Sequence, residues 1–154
     1  MDESIFAVMI QFFEEDSWHF SRVQDETVLR MHVSGKNGQY QCIARAREEA
    51  HQLLFYSQFP VNVPADKRSR VAEFLTRANY GLYIGNFEMD FQDGEIRYKT
   101  SIDVEGAPLS TAIVRNLVAP NLTMIDRYLP GVMALIYANA APEDAIALVE
   151  GSED

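Results

Sequence analysis

Apolar and polar positions alternate most regularly over residues 85–106, whose sequence is GNFEMDFQDGEIRYKTSIDVEG. Asp93-Gly94 is typical of a two-residue hairpin turn, in which both residues take positive φ. This turn sets two pairs of opposite charge on one face of the hairpin: Asp90 with Arg97, and Glu88 with Lys99. The other face is apolar, and a slip by one residue would expose all of it. Its residues are Tyr83, Phe87, Met89, Phe91, Ile96, Tyr98, Ile102 and Val104.

Strand-like runs also fill the chain before residue 64. A short run at 19–24 precedes two alternating runs at 27–35 and 39–46, and an aromatic run at 51–63 follows. Turn chemistry separates the two alternating runs, where Lys36-Asn37-Gly38 breaks the pattern. These runs therefore predict an antiparallel meander.

Helical spacing of apolar residues marks the first segment and the centre of the chain. Residues 3–15 place Ile5, Val8, Met9, Phe12 and Phe13 on one face, with Ser4 or Asp2 as the N-cap. Residues 64–81 repeat the pattern, with Pro64 in the first turn and a stop at Asn79 and Gly81.

The C-terminal third is also predicted to be helical. Ser110 caps a helix that Pro120 and Pro130 each interrupt or restart, and Pro142 opens a last short helix over 142–151. The element order predicts one α+β domain over residues 1–154, with a largely antiparallel sheet flanked by helices. Residues 151–154 are predicted to form a frayed acidic tail.

Composition narrows the classes of function. The chain has 154 residues and a net charge of −10, which disfavours nucleic acid and anionic membrane surfaces as partners. No apolar run approaches the about 18 residues of a membrane span, and the acidic start does not match a secretory signal. The single cysteine, Cys42, excludes an intrachain disulfide and fits a reducing compartment. We expect a soluble, cytoplasmic protein.

Catalytic and metal-binding candidates are weak. His19, His32 and His51 are far apart in sequence, and Cys42 lies in a strand where a small core residue is the simpler interpretation. Asp90 and Asp103 could be named acid and base only if a pocket separated their pKa values. The chain also contains neither a Gly-rich phosphate loop nor a G-x-S-x-G elbow. We therefore expect no enzyme activity, catalytic residues, metal or cofactor.

Several segments could instead contact a partner, although each has a structural interpretation as well. The second helix is locally basic, which suggests an anion or acidic-peptide dock. The alternatives are a solvated face balanced by Asp66 and Glu73, or pairing with the acidic surface of another copy. Trp18 is either an anchor for a partner or a packing residue. The stretch 133–151 could pack on the sheet, or dock on a second protomer or a partner. The apolar hairpin face is either core under a helix or a docking groove. The basic residues are Lys67, Arg68, Arg70 and Arg77, and the hairpin residues are Phe87, Met89 and Phe91.

A combination of short motifs resembles the YbjN family of bacterial proteins over about residues 5–150. Each motif is weak alone, but together they are fairly specific. The motifs are Asn79 at the end of the central helix, the strand with Gly85, Phe87 and Asp90, the Asp-Gly turn, Arg97-Tyr98, the run from Asp126 to Pro130, and Pro142-Glu143.

The resemblance implies a fold like that of type III secretion chaperones, in the order α-βββ-α-ββ-α. Those chaperones are small, acidic, cytoplasmic homodimers that hold segments of partner proteins. The YbjN family is described as regulatory or sensory and supplies no catalytic residues. Two hypotheses follow. The first is a non-enzymatic, chaperone-like or adaptor module that holds a partner protein as a homodimer. The alternative is a small-molecule sensor or regulatory domain, which would need an enclosed pocket.

Overall fold

The computed structural model describes residues 4–151, so Asp2 and residues 152–154 of the predicted tail lie outside the described residues. The helices are α1 (Ile5–Glu15), α2 (Arg68–Tyr80), α3 (Thr111–Tyr137) and α4 (Pro142–Glu150). The strands are β1 (Phe20–Arg22), β2 (Val28–Ser34), β3 (Gln39–Arg47), β4 (Gln52–Gln58), β5 (Asn86–Met89) and β6 (Ile96–Asp103). Short 3₁₀ turns cover Glu48–Ala50 and Ala65–Lys67.

The six strands form one sheet in the order β1-β2-β3-β4-β6-β5, and every neighbouring pair is antiparallel. The predicted α+β architecture is confirmed. The structure has two more elements than the order α-βββ-α-ββ-α that the resemblance implied. The short run at 19–24 pairs with β2 as an edge strand, and α4 follows α3 as a separate helix.

The helices pack on one face of the sheet. Helices α1 and α3 lie against the central strands, α2 lies against β5, and α4 packs on α2 and α3. The sheet residues of this covered face are buried: Leu29, Met31, Tyr40, Cys42, Ala44, Ala46, Leu53, Phe55, Ser57, Phe87, Ile96, Tyr98 and Thr100. The strand positions between them point the other way, and nearly all are exposed or half-buried. We call that side the open face.

Helix α1 is capped both locally and from a distance. The Ser4 hydroxyl accepts a hydrogen bond from the Ala7 amide at 3.0 Å, which confirms Ser4 as the N-cap. The Glu48 carboxylate accepts from the amides of Ile5 and Phe6, at 3.1 and 2.8 Å. A carboxylate at a helix N-terminus also interacts favourably with the helix dipole. Glu48 therefore fixes α1 to the turn between β3 and β4.

Helix α3 runs without a break through Pro120 and Pro130, so the predicted interruptions are wrong. Each proline lacks an N–H and leaves the carbonyl four residues earlier without its helical donor. For Pro130 that carbonyl belongs to Asp126, and the Asn37 side-chain amide donates to it at 2.8 Å. Buried residues lie on both sides of each proline, so tertiary packing holds the helix together.

The register of the β5–β6 hairpin differs by two residues from the prediction. Glu88 pairs with Arg97 and Met89 with Ile96, and a four-residue loop at 91–94 replaces the two-residue turn. The faces are preserved because the shift is even, but the predicted pair of Asp90 with Arg97 is absent. Glu88 instead forms ion pairs with both Arg97 and Lys99, at 2.7 and 2.8 Å.

Two residues predicted to lie on the apolar hairpin face are exposed instead. Tyr83 precedes β5 and is 98% exposed, and Phe91 lies in the hairpin loop and is 56% exposed. The loop is wide because other elements hold it. Arg68 donates to the carbonyls of Phe91 and Gln92, at 3.0 and 3.3 Å, and these contacts set the register that the local turn residues did not.

Candidate functional site

The motif residues that suggested a family build the fold. Asn79 ends α2 and bonds both backbone groups of Phe87, with Nδ2 donating to the carbonyl at 3.1 Å and Oδ1 accepting from the amide at 2.8 Å. The side-chain amide thus makes the two hydrogen bonds that a neighbouring strand would make to Phe87. Phe87 in turn packs edge-on against Tyr98 and Tyr128 in the core.

The two hairpin glycines allow close backbone contact. Gly85 and Gly94 have φ of +82° and +79°, a conformation that L side chains rarely adopt. A Cβ on Gly85 would lie 2.6 Å from the Lys99 carbonyl oxygen, and one on Gly94 would lie 2.2 Å from that of Val63. Both positions therefore serve packing and leave no room for a ligand at the backbone.

Asp126 and Pro130 form one clasp with the β2–β3 turn. The Asp126 carboxylate accepts from the amides of Lys36 and Asn37, at 2.8 and 2.9 Å, and from the Tyr40 hydroxyl at 2.6 Å. The Asp126 carbonyl freed by Pro130 accepts from the Asn37 side chain. Burial raises the pKa of Asp126, but these hydrogen bonds outweigh burial and hold the pKa below its ordinary value.

Asn121 is a buried polar hub that the sequence interpretation missed. Its Nδ2 donates to the carbonyls of Phe55 and Tyr98, at 3.0 and 3.1 Å, and to Thr100 Oγ1 at 3.2 Å. Its Oδ1 accepts from the Ser57 hydroxyl. Its position within the apolar stripe of α3 could have indicated a buried polar residue in the sequence. The hub joins α3 to β4 and β6 and has no free group for a ligand.

The candidate chemical residues are not brought together. All three histidines are exposed, and no group of three or more His, Cys, Asp or Glu side chains within residues 4–151 is arranged to hold a metal ion. The Asp90 backbone amide donates to the Glu95 carbonyl just before β6, whereas Asp103 lies at the far end of that strand. Cys42 is a buried core residue as predicted, and burial raises the pKa of its thiol to about 12.

The basic residues of the second helix have structural partners. Arg77 pairs with Glu73 at 2.8 Å, as the solvated-face interpretation expected. Arg68 holds the hairpin loop, and Arg70 donates to the Asn139 side chain at 2.6 Å. Most of this cationic cluster is therefore occupied by the fold itself.

Trp18 and the C-terminal helices mainly pack. Trp18 is half-buried, with its ring edge-on to Phe13 at 5.0 Å and its indole N–H donating to Asp16 at 2.9 Å. The helical stretch 133–151 buries Leu135, Ile136, Ala145 and Val149. Its exposed large apolar side chains are Tyr137 and Leu148.

A more concentrated apolar group lies at the connection between α2 and β5. Tyr80, Tyr83 and Ile84 are 96%, 98% and 48% exposed within five residues. We call residues 80–84 the aromatic segment. It precedes β5, which is the terminal strand of the sheet. Exposed aromatic residues beside an unpaired sheet edge are typical of a surface that binds protein.

The open face has a second apolar group, of different character. Ile43 on β3 and Leu54 and Tyr56 on β4 are half-buried there and take no part in the main core. Cationic side chains border them, and Arg97 stacks on the Tyr56 ring at 4.2 Å.

Two depressions, of about 330 and about 390 Å³, lie along this face and share Glu95 and Arg97 in their walls. Both are open to solvent, in contrast to the enclosed pocket that a sensor would need. An interior gap under α1 and α3 is too small for a water molecule.

Comparison with known proteins identifies the family of this chain. A family model described as "Putative bacterial sensory transduction regulator", YbjN, matches residues 6–133. No curated protein matches the chain significantly. Within residues 4–151, every helix is too short or too polar to cross a membrane.

Solved structures share the fold at low identity. The crystal structure of YbjN, "a putative transcription regulator from E. coli", has a TM-score of 0.60 at 13% identity, covering 87% of this chain and 90% of that one. The HopA1–SchA chaperone–effector complex gives 0.52 at 16%, covering 77% and 87%. The ExsC–ExsE complex gives 0.55 at 13%, covering 80% and 91%. The chain thus has the fold of type III secretion chaperones and belongs to the YbjN family.

Proposed function

We propose that this protein is a non-enzymatic protein-binding module, chaperone-like or a regulatory adaptor, that holds a partner protein and acts as a homodimer in the cytoplasm. The whole chain, 1–154, acts as one domain in this proposal. The observation that carries it is the aromatic segment, where Tyr80 and Tyr83 are almost fully exposed. Large aromatic side chains such as these are stabilised when a partner buries their apolar surface.

The aromatic segment suits a symmetric contact. A two-fold interface brings the same patch of both copies together, so each tyrosine can pack on its counterpart. The neighbouring edge of β5 can add strand hydrogen bonds between copies. Chaperone–partner complexes among the structures of similar fold support a protein partner, although the fold alone does not transfer a function.

Sedimentation equilibrium tests the homodimer. The wild type is expected to be dimeric and the double variant Tyr80→Ser/Tyr83→Ser monomeric. The unfolding midpoint of the variant should equal that of the wild type diluted below its dimer dissociation constant. Tyr137→Ser is the matched control, because Tyr137 is 71% exposed at the end of α3, away from this segment. A monomeric wild type, or an equally dimeric double variant, would contradict the proposed dimer contact.

Partner capture tests the binding role. Tagged protein is incubated with source lysate at moderate and high salt, and each retained protein is purified and mixed again with the bait. One protein that rebinds in a defined ratio supports a holding role. If no retained protein rebinds, the binding proposal fails.

The sensor remains a second candidate because the matching family model carries a sensory description. A ligand would then occupy one of the two open depressions. A thermal-shift screen of metabolites separates the candidates, since a ligand at about 100 times its Kd stabilises the fold by about 2.7 kcal/mol. A hit that Arg97→Ala abolishes favours the sensor.

A further inference from the structure

We propose that the open face of the sheet binds an extended, acidic segment of a partner protein, whose aromatic or aliphatic side chains pack on Ile43, Leu54 and Tyr56. This inference rests on the proposed protein-binding function. It places partner binding on a surface distinct from the aromatic segment, and it identifies the partner as an acidic segment.

The apolar part of the site is continuous. Ile43 and Tyr56 are direct cross-strand neighbours, and Leu54 is the next residue of β4 on the same face. All three are half-buried by their neighbours alone, since the helices lie on the other side of the sheet. Apolar side chains of a partner that cover them would remove this surface from water.

Cations surround this apolar group. Arg30 is the cross-strand neighbour of Ile43, Arg45 of Leu54, and Lys99 of Tyr56. Arg97 stacks on the Tyr56 ring. Arg30 and Arg45, the two on the β2–β3 side, are exposed, and their side chains make no hydrogen bond or ion pair with any residue from 4 to 151. They can therefore bind incoming carboxylates without breaking a contact of the fold.

Charge is distributed unevenly over the molecule. The strand positions of the open face hold five of the thirteen Lys and Arg residues but two of the twenty-three Asp and Glu residues. The five are Arg30, Arg45, Arg47, Arg97 and Lys99, and the two are Glu88 and Asp103. The chain as a whole carries a net charge of −10 and repels an acidic segment, whereas this face attracts it locally. The charge pattern thus favours an acidic partner on this face.

A peptide fits this face better than a nucleic acid. Arg97 and Lys99 are already paired with Glu88, and Glu95 lies in the wall of the depression, so a continuous run of phosphates would meet carboxylates. An extended segment of about seven or eight residues crosses the sheet, since strands lie about 4.8 Å apart and a segment advances about 3.3 Å per residue. Its acidic and apolar residues can alternate to match the arginines and the apolar group.

A random peptide display library tests the inference. Peptides selected on the wild-type protein are synthesised with a fluorophore and titrated by anisotropy against three proteins. These are the wild type, Arg30→Glu/Arg45→Glu, and the charge-matched control Arg115→Glu/Arg127→Glu. The control arginines lie on α3, on the covered side, where Arg115 stacks on the Phe12 ring and Arg127 on the Tyr128 ring. A single-stranded oligonucleotide is titrated in parallel.

The selected peptides are expected to be rich in Asp, Glu and large apolar residues. Their affinity should fall at least about tenfold in Arg30→Glu/Arg45→Glu, stay within about twofold in the control, and weaken with salt. Tyr56→Ala should also weaken binding. The unfolding curves should not change, because the two arginine side chains have no hydrogen bond or ion pair among residues 4–151. Unchanged curves would exclude a folding defect.

The contrary outcomes separate the two proposals. Selected peptides that bind the wild type and Arg30→Glu/Arg45→Glu equally would overturn the open face as the site and leave protein binding intact. Neutral or basic peptides would overturn the acidic partner. Tighter binding of the oligonucleotide than of any peptide would overturn a peptide partner. If no peptide is selected, the inference about the open face fails, and partner capture alone then decides the proposed function.

Discussion

The covered and open faces of the same sheet treat polar groups in opposite ways. On the covered face, Asn121, Ser57 and Thr100 form a closed network, and no buried side-chain N or O atom within residues 4–151 lacks a partner. On the open face, the side chains of Arg30 and Arg45 make no hydrogen bond or ion pair within residues 4–151. A closed network rigidifies a core, whereas unpaired exposed cations contribute little to stability and can bind other molecules. The polar residues that stabilise the fold and those available to bind a partner therefore lie on opposite faces of one sheet.

The largest expected effect comes from opening the network on the covered face. Asn121→Leu leaves the buried Ser57 hydroxyl without its acceptor and removes the donor to Thr100, which keeps its own bond to the Leu117 carbonyl. We expect a loss of about 3 kcal/mol in the free energy of unfolding. Gln41→Leu is the matched change on the open face and should cost less than about 0.5 kcal/mol. Urea unfolding measures both. Equal losses in the two variants would contradict the contrast between the faces.

A smaller effect is expected from crowding the helical layer. A Cβ on Gly131 of α3 would lie 2.5 Å from the Phe74 ring and 2.9 Å from Val149. Gly131→Ala should therefore lower stability by about 1–2 kcal/mol, since overpacking outweighs the gain in helix propensity.

Gly81 provides the control for Gly131, because a Cβ there meets nothing within 4 Å. Gly81→Ala should be neutral or stabilising by up to about 1 kcal/mol. Thermal and urea unfolding of both variants measure the difference. A tolerated Gly131→Ala would mean that the layer above the sheet is less tightly packed than its geometry indicates.

Asp126→Asn should lower stability by about 1–2 kcal/mol near neutral pH, because the clasp loses its charge-assisted hydrogen bonds. The pKa of Asp126 lies below its ordinary 3.8, so the carboxylate stabilises the fold above that value and loses this effect as the pH falls through the lowered pKa. The gap between wild type and variant should therefore close in acid. Urea curves at several pH values measure it.

Asp103→Asn is the open-face control for this pH dependence. The pKa of Asp103 is also lowered, first by the Glu105 amide and then by Gln52, but Asp103 is fully exposed. We expect a smaller change with pH in this variant because solvent screens the interaction. A gap for Asp126→Asn that persists in strong acid would show that the clasp does not depend on the carboxylate charge.

The smallest stability effect is expected from Arg30→Ala/Arg45→Ala on the open face. Within residues 4–151 these side chains make no hydrogen bond or ion pair that the variant would lose, so the change should stay below about 0.5 kcal/mol. Chemical denaturation measures it, with Glu48→Ala as the contrasting loss of a partnered charge. A loss above about 1 kcal/mol would show that the open face contributes to stability through contacts not seen in the monomer.

The spacing of apolar residues predicted the helices and strands, because it reflects which side chains are buried. In a sheet covered on one face, buried and exposed side chains alternate along each strand. Ser4 as the N-cap, the meander and Cys42 as a core residue followed from this. The failures occur where distant residues override a local rule. Pro130 stays within α3 because Asn37 replaces the missing donor, and the hairpin loop is wide because Arg68 holds it.

The candidate surfaces were harder to predict than the fold. The apolar group of Ile43, Leu54 and Tyr56 depends on register between β3 and β4, which alternation alone does not supply. The unpaired state of Arg30 and Arg45 depends on what surrounds them in space. Motif residues such as Asn79 and Asp126 drew attention in the sequence, yet their contacts are architectural.

The clasp between Asp126 and the β2–β3 turn also bears on folding during synthesis. Lys36 and Asp126 are 90 residues apart, so this contact cannot form until most of the chain has left the ribosome. The meander emerges long before α3, and until then most of its apolar face is exposed to other nascent chains. Long-range closure of this kind slows folding. The newly made meander is therefore the stage at which this protein itself most needs a chaperone.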